Sequence, residues 1–332
     1  MATNKQVLLK SRPKGWVSEA DFELAEAAMP QPAEGQALVR NHWLSLDPYM
    51  RGRMNDTKSY AAKAEIGEVM VGGTVGEVVE TRDPSLKNGD FVVGMLGWQQ
   101  YGVAAAKAFR VIDTKAAPAQ AYLGAVGMPG VTAWVGLLTI GEPKPGETVV
   151  VSAASGAVGS VVGQIAKIKG ARAVGIAGGP EKCRYLVDEL NFDASVDYKS
   201  PNFLRDLELA TPNGVDVYFE NVAGDVLEAV SRRFNAFARM PLCGLVSQYN
   251  EVNPKSFRNL HTFLINRVKL QGFIVSDKPE LWPPALQDLA AWVTSGKIKY
   301  RESVAQGLEN APKAFIGMLK GENFGKQLVR LV

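Results

Sequence analysis

The stretch VVVSAASGAVGSVVGQIAKIKG, residues 149–170, decides the fold of this 332-residue chain. Its valines predict a buried strand, and the small residues after them predict a tight turn. The apolar residues at helical spacing over 157–169 predict a helix that ends at Gly170. A strand, a glycine turn and a helix in this order are typical of the first unit of a parallel α/β sheet.

The same alternation of short apolar runs and helical patterns continues from about residue 147 to residue 275. The predicted strands are 147–153, 171–177, 194–197, 215–221, 239–246 and 270–275. The predicted helices between them are 157–169, 180–190, 203–209, 225–234 and 259–268. Strands and helices in strict turn imply right-handed crossovers, so we expect a doubly wound parallel sheet of about six strands.

The first 125 residues have a different pattern. Short alternating stretches at 37–41, 73–80, 90–95 and 100–103, separated by glycine and proline, predict an antiparallel or barrel-like β domain. A strand at 302–304, a helix around 311–320 and a strand at 327–331 are expected to return the chain to this domain. We therefore predict two domains, one formed by 1–126 with 300–332 and one by 127–299.

Composition excludes several classes of function. The chain has 37 Lys and Arg residues and 34 Asp and Glu residues, and the basic residues form no tract. We therefore expect no nucleic-acid partner. The first residues contain no apolar core with a cleavage site, which favours a cytoplasmic protein. Residues 116–141 carry no charge, but Pro118, Pro129 and five glycines interrupt them, so we predict a buried connection between domains and not a membrane span.

Few side chains are available to bind a metal ion. The chain has two cysteines, Cys183 and Cys243, and two histidines, His42 and His261. Zinc sites use three or four protein ligands, often closely spaced, and none of these four residues is paired in sequence. We predict no metal site and no disulfide framework.

The turn after the valine strand contains an AxGxxG motif. A small residue at Ala154 suits the tight turn, and a side chain at Gly156 would block the approach of a pyrophosphate. Gly159 and Gly163 would let the helix pack closely on its strand, and the helix N-terminus offers free N–H groups to phosphates. The motif in this context predicts a dinucleotide site, the alternative being a small-residue stripe used only for packing.

The end of the second predicted strand indicates which dinucleotide is bound. Enzymes that select NAD usually place a carboxylate there to hold the ribose hydroxyls. Residues 177–179 read Ala-Gly-Gly, and Lys182 and Arg184 follow. Cations would suit the 2′-phosphate of NADP, so we predict NADPH, although Lys182 could also be a solvated residue of a first helical turn.

Several motifs together resemble one family. They are SLDPYMRGRM at 45–54, GMPGVTAWVGL at 127–137, AASGAVG at 153–159, FENVAG at 219–224, CGLVSQYN at 243–250 and GENFGK at 321–326. In this order they resemble the zinc-independent, NADP-dependent alkenal/one oxidoreductases of the medium-chain dehydrogenase/reductase superfamily. This group includes leukotriene B4 dehydrogenases/prostaglandin reductases, plant double-bond reductases and curcumin reductases.

The resemblance implies a GroES-like β-barrel domain, completed by the C-terminus, and a Rossmann domain. Zinc enzymes of the superfamily carry Gly-His-Glu in the first domain, whereas this chain has Gly67-Glu68 without the histidine. The cofactor-binding residues implied by matching motifs are Met128, Thr132, Gly156, Ala157, Val158, Gly159, Lys182, Tyr198, Asn221, Cys243, Gly244, Ser247, Phe273, Ile274, Val275 and Asn323.

Within this set the resemblance implies different contacts. Residues 156–159 would hold the pyrophosphate, Lys182 and Tyr198 would flank the 2′-phosphate, and Asn221 would meet the cofactor at the fourth strand. Residues 243–249 and 273–275 would border the nicotinamide side. Met128 and Thr132 would approach from the domain junction, and Asn323 from the C-terminal return.

The implied reaction is hydride transfer from NADPH to the β-carbon of an α,β-unsaturated ketone or aldehyde. Negative charge then develops on the carbonyl oxygen, where a hydrogen-bond donor stabilises the transition state. A tyrosine phenol is protonated at neutral pH and suits this role. Tyr249 matches the family's active-site tyrosine, and Tyr49 in the DPYMR motif would help orient the carbonyl; packing on a domain edge or in a core is the alternative for each.

Two other functions stay open on sequence grounds. One is an NADPH quinone oxidoreductase of the same superfamily, and the other is a non-catalytic NADP-binding protein. The sequence does not distinguish among alkenals, aromatic enones and oxidised lipids as substrates. The family commonly forms homodimers through its nucleotide domains, which makes residues 270–275 the expected edge.

Overall fold

The computed structural model describes residues 3–332, which form two compact units. One unit consists of the residues up to Gly124 together with Glu302–Val332, and the other is Ala125–Arg301. The predicted domain limits, after residues 126 and 299, each lie two residues from these divisions.

The first unit begins with an antiparallel hairpin that the sequence patterns did not predict. Its two strands pair from Thr3 opposite Ala28 to Leu9 opposite Phe22. The elements of this part of the chain are β1 (Thr3–Leu9), β2 (Phe22–Ala28), β3 (Gln36–Ser45), α1 (Tyr49–Arg53), β4 (Thr74–Thr81), β5 (Phe91–Gly94), β6 (Tyr101–Ala105) and β7 (Arg110–Val111).

The second unit contains the predicted alternation of strands and helices. Its elements are α2 (Met128–Gly136), β8 (Thr148–Val151), α3 (Gly159–Ile168), β9 (Arg172–Ala177), α4 (Pro180–Asp188), β10 (Ala194–Asp197), α5 (Phe203–Ala210), β11 (Val215–Phe219), α6 (Gly224–Ser231), β12 (Phe234–Leu242), α7 (Leu260–Ile265), β13 (Lys269–Gly272) and α8 (Trp282–Thr294). The chain then enters the first unit again with β14 (Glu302–Gln306), α9 (Ala311–Leu319) and β15 (Lys326–Arg330).

The six strands of the second unit form a parallel sheet in the order β10-β9-β8-β11-β12-β13. The chain order reverses between β8 and β11, so the crevice outside the carboxyl ends of these two strands is the topological switch point of the sheet. Ligands of open α/β sheets bind at such a point. The predicted doubly wound fold is confirmed.

The first unit is built around a seven-stranded sheet. Its order is β14-β15-β3-β4-β5-β7, with β6 also paired to β3, and all these pairs are antiparallel except β14 with β15. The last two strands come from the C-terminal return, as predicted. Met50 of α1 and Met54 directly after it are fully buried in the core that also contains Trp98 and Phe315, and this anchors the short helix.

Several predicted elements differ from the structure, and the strand expected over 239–246 is β12, Phe234–Leu242. The helix expected over 225–234 ends at Ser231, because Phe234 begins β12 and its ring packs against Phe263 with centroids 5.6 Å apart. The sixth strand ends at Gly272 and not at Val275. The uncharged connection contains a helix, α2, whose proline lies in the first turn, where it costs no hydrogen bond.

The glycines of α2 are explained by close packing. A Cβ on Gly130 would lie 2.0 Å from the Ala125 carbonyl oxygen, and one on Gly136 would lie 2.5 Å from the Phe273 ring. Glycine is therefore needed in this helix despite its low helix propensity. Among residues 3–332, no helix is both long and apolar enough to cross a membrane.

Replacing Gly163 by alanine is expected to destabilise the second unit. The new Cβ would lie 1.9 Å from the Phe192 ring, so the ring must shift and overpack its surroundings. Overpacking of this kind costs about 1–3 kcal/mol. Urea unfolding measures the loss, with Gly272→Ala as control because a Cβ at Gly272 has no neighbour within 4 Å. Equal stability of the two variants would contradict this packing.

Candidate active site

The glycine turn joins β8 to α3 at the switch point. Gly156, Ala157 and Val158 are partly exposed, whereas Ser155 before them and Gly159 after them are buried. A Cβ on Gly156 would have only the Ala153 carbonyl oxygen within 4 Å, at 3.1 Å. The backbone of these residues is therefore open to a ligand at the start of a ten-residue helix.

Gly159 has a different function from Gly156. A Cβ on Gly159 would lie 2.4 Å from the Ala153 carbonyl oxygen and 2.8 Å from the Cα of Ala154. The helix approaches its own turn so closely that no side chain fits there. The expected close packing is present, but at Gly163 the neighbour is the Phe192 ring and not the strand.

The turn after β9 contains a second group of predicted residues. The Gly179 N–H and the Lys199 N–H both donate to Asp197 Oδ1 at 2.9 Å, which fixes this turn against the end of β10. Gly178 lies directly against Tyr198, and the Lys199 ammonium lies 5.9 Å from the centre of the Tyr198 ring. Burial and the charge of Lys199 lower the pKa of Lys182, so the two lysines interact electrostatically.

Hydrogen bonds fasten the ends of β8 and β11 to each other. Ser152 Oγ donates to Glu220 Oε1 at 2.8 Å and accepts from the Asn221 N–H at 2.8 Å. The Asn221 side-chain amide donates to the Ser152 carbonyl at 2.8 Å, and the Val222 N–H donates to Glu220 Oε1 at 2.6 Å. Asn221 is thus held at the carboxyl end of β11 by Ser152, the first residue of the glycine turn.

Glu220 is a fully buried carboxyl at the centre of these bonds. Burial raises its pKa, and hydrogen bonds from the backbone of Val222 and Ala223 and from Ser152 oppose that rise. Its own backbone carbonyl accepts from the N–H groups of Cys243 and Gly244, at 2.9 and 3.1 Å. One residue therefore contacts the ends of three adjacent strands, β8, β11 and β12.

Two alanines of these turns have left-handed backbone conformations. Ala153 has φ +49° and Ala223 has φ +70°, one in each turn that Glu220 and Ser152 connect. Such conformations cost a residue with a side chain about 1–3 kcal/mol and persist where the surroundings hold them. The conformations of Ala153 and Ala223, in the turns after β8 and β11, therefore lower the stability of the fold.

The loop that follows β12 brings Tyr249 back to the same edge. Its hydroxyl accepts from the Leu245 N–H at 3.2 Å, and a Cβ on Gly244 would lie 3.1 Å from it. Ser247 Oγ donates to the Val222 carbonyl at 2.6 Å, and the Val246 N–H donates to the Asn221 carbonyl at 3.0 Å. The predicted residues of the 243–249 loop and Asn221 are therefore brought together.

The other predicted residues of the second unit have structural contacts. Thr132 Oγ1 donates to the Met128 carbonyl at 2.8 Å within the first turn of α2. The Phe273 ring packs edge-on against Phe219 with centroids 6.2 Å apart, and the Val275 carbonyl accepts from the Trp282 indole at 3.0 Å. Ile274, the residue between Phe273 and Val275 in the chain, lies after the end of β13 and not within the strand predicted over 270–275.

In the first unit, Tyr49 begins α1 directly after a buried ion pair. The Lys326 ammonium donates to Asp47 Oδ1 at 2.6 Å and to the Leu46 carbonyl at 2.7 Å, and Ser45 Oγ donates to Asp47 Oδ2. Lys326 comes from the GENFGK motif, so the return segment positions the DPYMR motif. Asn323 of the same segment donates to the Gly325 carbonyl at 2.8 Å.

The Tyr49 phenol is held in its protonated form. Burial raises its pKa well above the ordinary value, and the Asp47 carboxylate and Tyr60 add to the rise while Arg53 opposes it. Because the pKa is raised, the hydroxyl keeps its proton throughout the neutral range. It can act there only as a neutral hydrogen-bond donor or acceptor.

No metal-binding cluster is found at either site. Within the described residues, 3–332, no three His, Cys, Asp or Glu side chains are grouped so that they could hold an ion.

Comparison with known proteins connects these sites to a family. A family model described as the N-terminal domain of oxidoreductase matches residues 5–112, and one described as zinc-binding dehydrogenase matches residues 157–291. The NADPH-dependent curcumin reductase of Escherichia coli is 47% identical over 99% of this chain and 97% of its own. The NADP(+)-dependent 2-alkenal reductase of Nicotiana tabacum is 40% identical over 98% and 97%.

A solved structure agrees with these relatives. CurA of Vibrio vulnificus in complex with NADPH is 46% identical and superposes with a TM-score of 0.95 over 99% of both chains. The chain belongs to the zinc-independent alkenal/one oxidoreductases. The resemblance stated from the six motifs is thereby confirmed.

Three residues of this alkenal/one oxidoreductase site were missed by the sequence reasoning. Lys199 lies beside Tyr198 and Lys182, and a second lysine next to a predicted 2′-phosphate residue was the available signal. Ser152 and Glu220 flank predicted residues in the AASGAVG and FENVAG motifs. Their importance depends on the pairing of β8 with β11, which no local pattern reveals.

The Cys243 thiol is expected to react slowly with alkylating reagents. Burial and the Glu220 charge raise its pKa to about 12, so at pH 8 the thiolate fraction is on the order of 10⁻⁴. Iodoacetamide labelling of the native enzyme, followed by peptide mass spectrometry, should be at least about a hundredfold slower than labelling of the same peptide after unfolding. Equal rates in the two states would contradict the burial of this thiol.

Proposed function

We propose that the protein reduces the carbon–carbon double bond of α,β-unsaturated ketones and aldehydes with NADPH. The observation that carries the proposal is the position of the Tyr249 hydroxyl, folded back to Gly244 at the edge where Asn221 and the glycine turn also lie. Relatives named as curcumin reductase and 2-alkenal reductase, similar over nearly the whole chain, support the substrate class.

The residues of the second unit fit NADPH. The bare backbone of residues 156–158 at the N-terminus of α3 suits a pyrophosphate, because a side chain at Gly156 would fill the space in front of it. Lys199 beside Tyr198, and Lys182, whose pKa burial and the Lys199 charge lower, supply positive charge that suits a 2′-phosphate. At the end of β9 the chain has Ala177 and two glycines in place of the carboxylate that would favour NAD.

The chemistry requires stabilisation of an oxyanion. NADPH, when bound, supplies the hydride that is added to the β-carbon of the enone. The carbonyl oxygen then gains negative charge, and a preorganised donor at that oxygen lowers the barrier. We assign this role to the Tyr249 hydroxyl, whose oxygen is fixed by the Leu245 N–H and whose proton can be donated.

We assign a second donor role to Tyr49. Its raised pKa keeps the phenol neutral at the pH of the cell, so it can orient a carbonyl without carrying a charge. Its backbone is fixed by the buried Asp47–Lys326 pair and by Met50, which is fully buried. The enolate formed on the substrate finally takes a proton at its α-carbon.

A panel of substrates tests the proposal against its alternatives. NADPH oxidation at 340 nm with an alkenal, an aromatic enone and a quinone separates an enone reductase from a quinone oxidoreductase. Activity with the quinone alone would favour the quinone oxidoreductase. NADPH binding without turnover of any of them would favour a non-catalytic binding protein.

Tyr249→Phe is expected to lower kcat for an enone by about 10²–10³-fold, the usual effect of removing an oxyanion donor. The Kd of NADPH, measured by its fluorescence, should stay within about threefold of the wild-type value. Tyr101→Phe serves as control, since this phenol lies on β6 opposite Arg40 of β3 and is assigned no role in the reaction. An unchanged kcat in the Tyr249 variant would remove this residue from the mechanism.

Lys182→Ala is expected to weaken NADPH binding and to leave NADH binding unchanged. Loss of one charge-assisted hydrogen bond corresponds to about 10–100-fold in Kd. Lys169→Ala is the control, because Lys169 is an exposed lysine at the opposite end of α3. A parallel loss of affinity for both nucleotides would show that Lys182 does not read the 2′-phosphate.

We also propose a homodimer formed through the second unit. β13 is an edge strand of the six-stranded sheet, and Leu270 in it is 47% exposed. An unpaired strand edge with apolar side chains is a surface that a second copy can cover by two-fold symmetry. Light scattering after size-exclusion chromatography should give twice the chain mass, and a monomeric mass would refute the proposal.

A cytoplasmic location is a further part of the proposal. Both cysteines are free thiols, as in proteins of a reducing compartment. Cell fractionation with antibody detection tests it, and recovery of the protein in the exported fraction would refute it.

A further inference from the structure

Glu220 is the buried carboxyl that the proposed chemistry does not use. Its side chain is fully buried one residue before Asn221, and the proposed reaction gives it no role. A carboxyl is costly to bury, so its presence at the switch point calls for a function that a smaller or apolar side chain could not supply.

The contacts of Glu220 connect two cofactor turns. Oε1 receives the Ser152 hydroxyl from the glycine turn and the Val222 N–H from the turn after β11. The Asn221 N–H in turn donates to the Ser152 hydroxyl. One oxygen atom thus sets the spacing between the turn assigned to the pyrophosphate and Asn221, which is assigned to the cofactor at the fourth strand.

The strained backbone lies next to these bonds. Ala153 follows Ser152, and Ala223 follows Val222, and both have positive φ. Neither alanine has the glycine freedom that would make its conformation easy to adopt, so neighbouring bonds must hold it. Without the Glu220 carboxyl, both turns would relax towards ordinary conformations.

We propose that Glu220 is a positioning residue, which holds the two turns in the geometry that binds NADPH and does not itself touch the substrate. This inference rests on the proposed function and deepens it. The effect is expected on cofactor affinity: the KM and Kd of NADPH should rise in variants of Glu220. The KM of the enone, and kcat at saturating NADPH, should change little.

The other carboxyl oxygen allows a conservative variant. Glu220 Oε2 and the Tyr218 hydroxyl are both buried; burial raises the pKa of Glu220, and the neighbouring Tyr218 side chain opposes that rise. Glu220→Gln keeps the Oε1 acceptor for Ser152 and Val222 and places an amide at the Oε2 position. It should therefore preserve NADPH affinity, whereas Glu220→Ala should not.

The experiment measures the Kd of NADPH by fluorescence titration at a temperature well below the unfolding transition of each variant. Glu220→Ala is expected to raise the Kd at least about tenfold, and Glu220→Gln to keep it within about threefold. Thr211→Val is the matched control, because Thr211 is a fully buried hydroxyl in the segment that leads into the opposite end of β11. It should lower the unfolding temperature and leave the Kd unchanged.

Ser152→Ala provides a second route if Glu220→Ala does not fold. It removes the hydroxyl that connects Glu220 Oε1 to the Asn221 N–H and should also raise the Kd.

The outcomes separate this inference from the proposed function. Wild-type protein that neither binds NADPH nor reduces an enone would overturn the proposed function. Wild-type protein that does both, with Ser152→Ala and Glu220→Ala binding NADPH as tightly as Thr211→Val, would overturn the positioning role alone. A fall in kcat at saturating NADPH with an unchanged Kd would also overturn it.

Discussion

The hydrogen bonds among Ser152, Glu220 and Asn221 are the interaction on which this enzyme's site depends. They join the carboxyl ends of β8 and β11, the two neighbouring strands between which the chain order reverses. The glycine turn, the turn after β11 and the 243–247 loop are part of these bonds or attached to them, whereas the turn after β9 is fixed by Asp197 at the end of β10. The glycine turn begins at Ser152, and the 243–247 loop is bonded to Asn221 and Val222.

Both steric fit and hydrogen bonds shape the backbone at the carboxyl ends of β8 and β11. Gly159 allows α3 to meet its own turn, and Gly156 leaves the turn open in front. The two left-handed alanines then need bonds to hold them, and the buried carboxyl supplies these. In the first unit a second buried group, the Lys326–Asp47 pair, holds the helix that begins with Tyr49. Each assigned phenol is thus fixed through its neighbours in the chain.

The sequence predicted what depends on local patterns. The glycine spacing, the absence of a carboxylate at 177–179 and the alternation of strands and helices are all short-range features, and the structure shows the elements that they imply. Ser152 and Glu220 were missed because their contacts depend on which strands pair, whereas Lys199, next to Tyr198 in the chain, could have been found from the sequence. The helix α2 was missed because its glycines are selected by contacts with Ala125, Phe219 and Phe273, which are invisible in a local window.

Hydrogen exchange with and without NADPH tests most directly whether these turns form one cofactor site. NADPH should slow amide exchange together in residues 152–160, 178–183, 221–224 and 243–249, since all four segments share one ligand and three of them also share one set of hydrogen bonds. The β1–β2 hairpin should exchange at the same rate in both states. Protection confined to a single one of these segments, or found in none, would contradict the account.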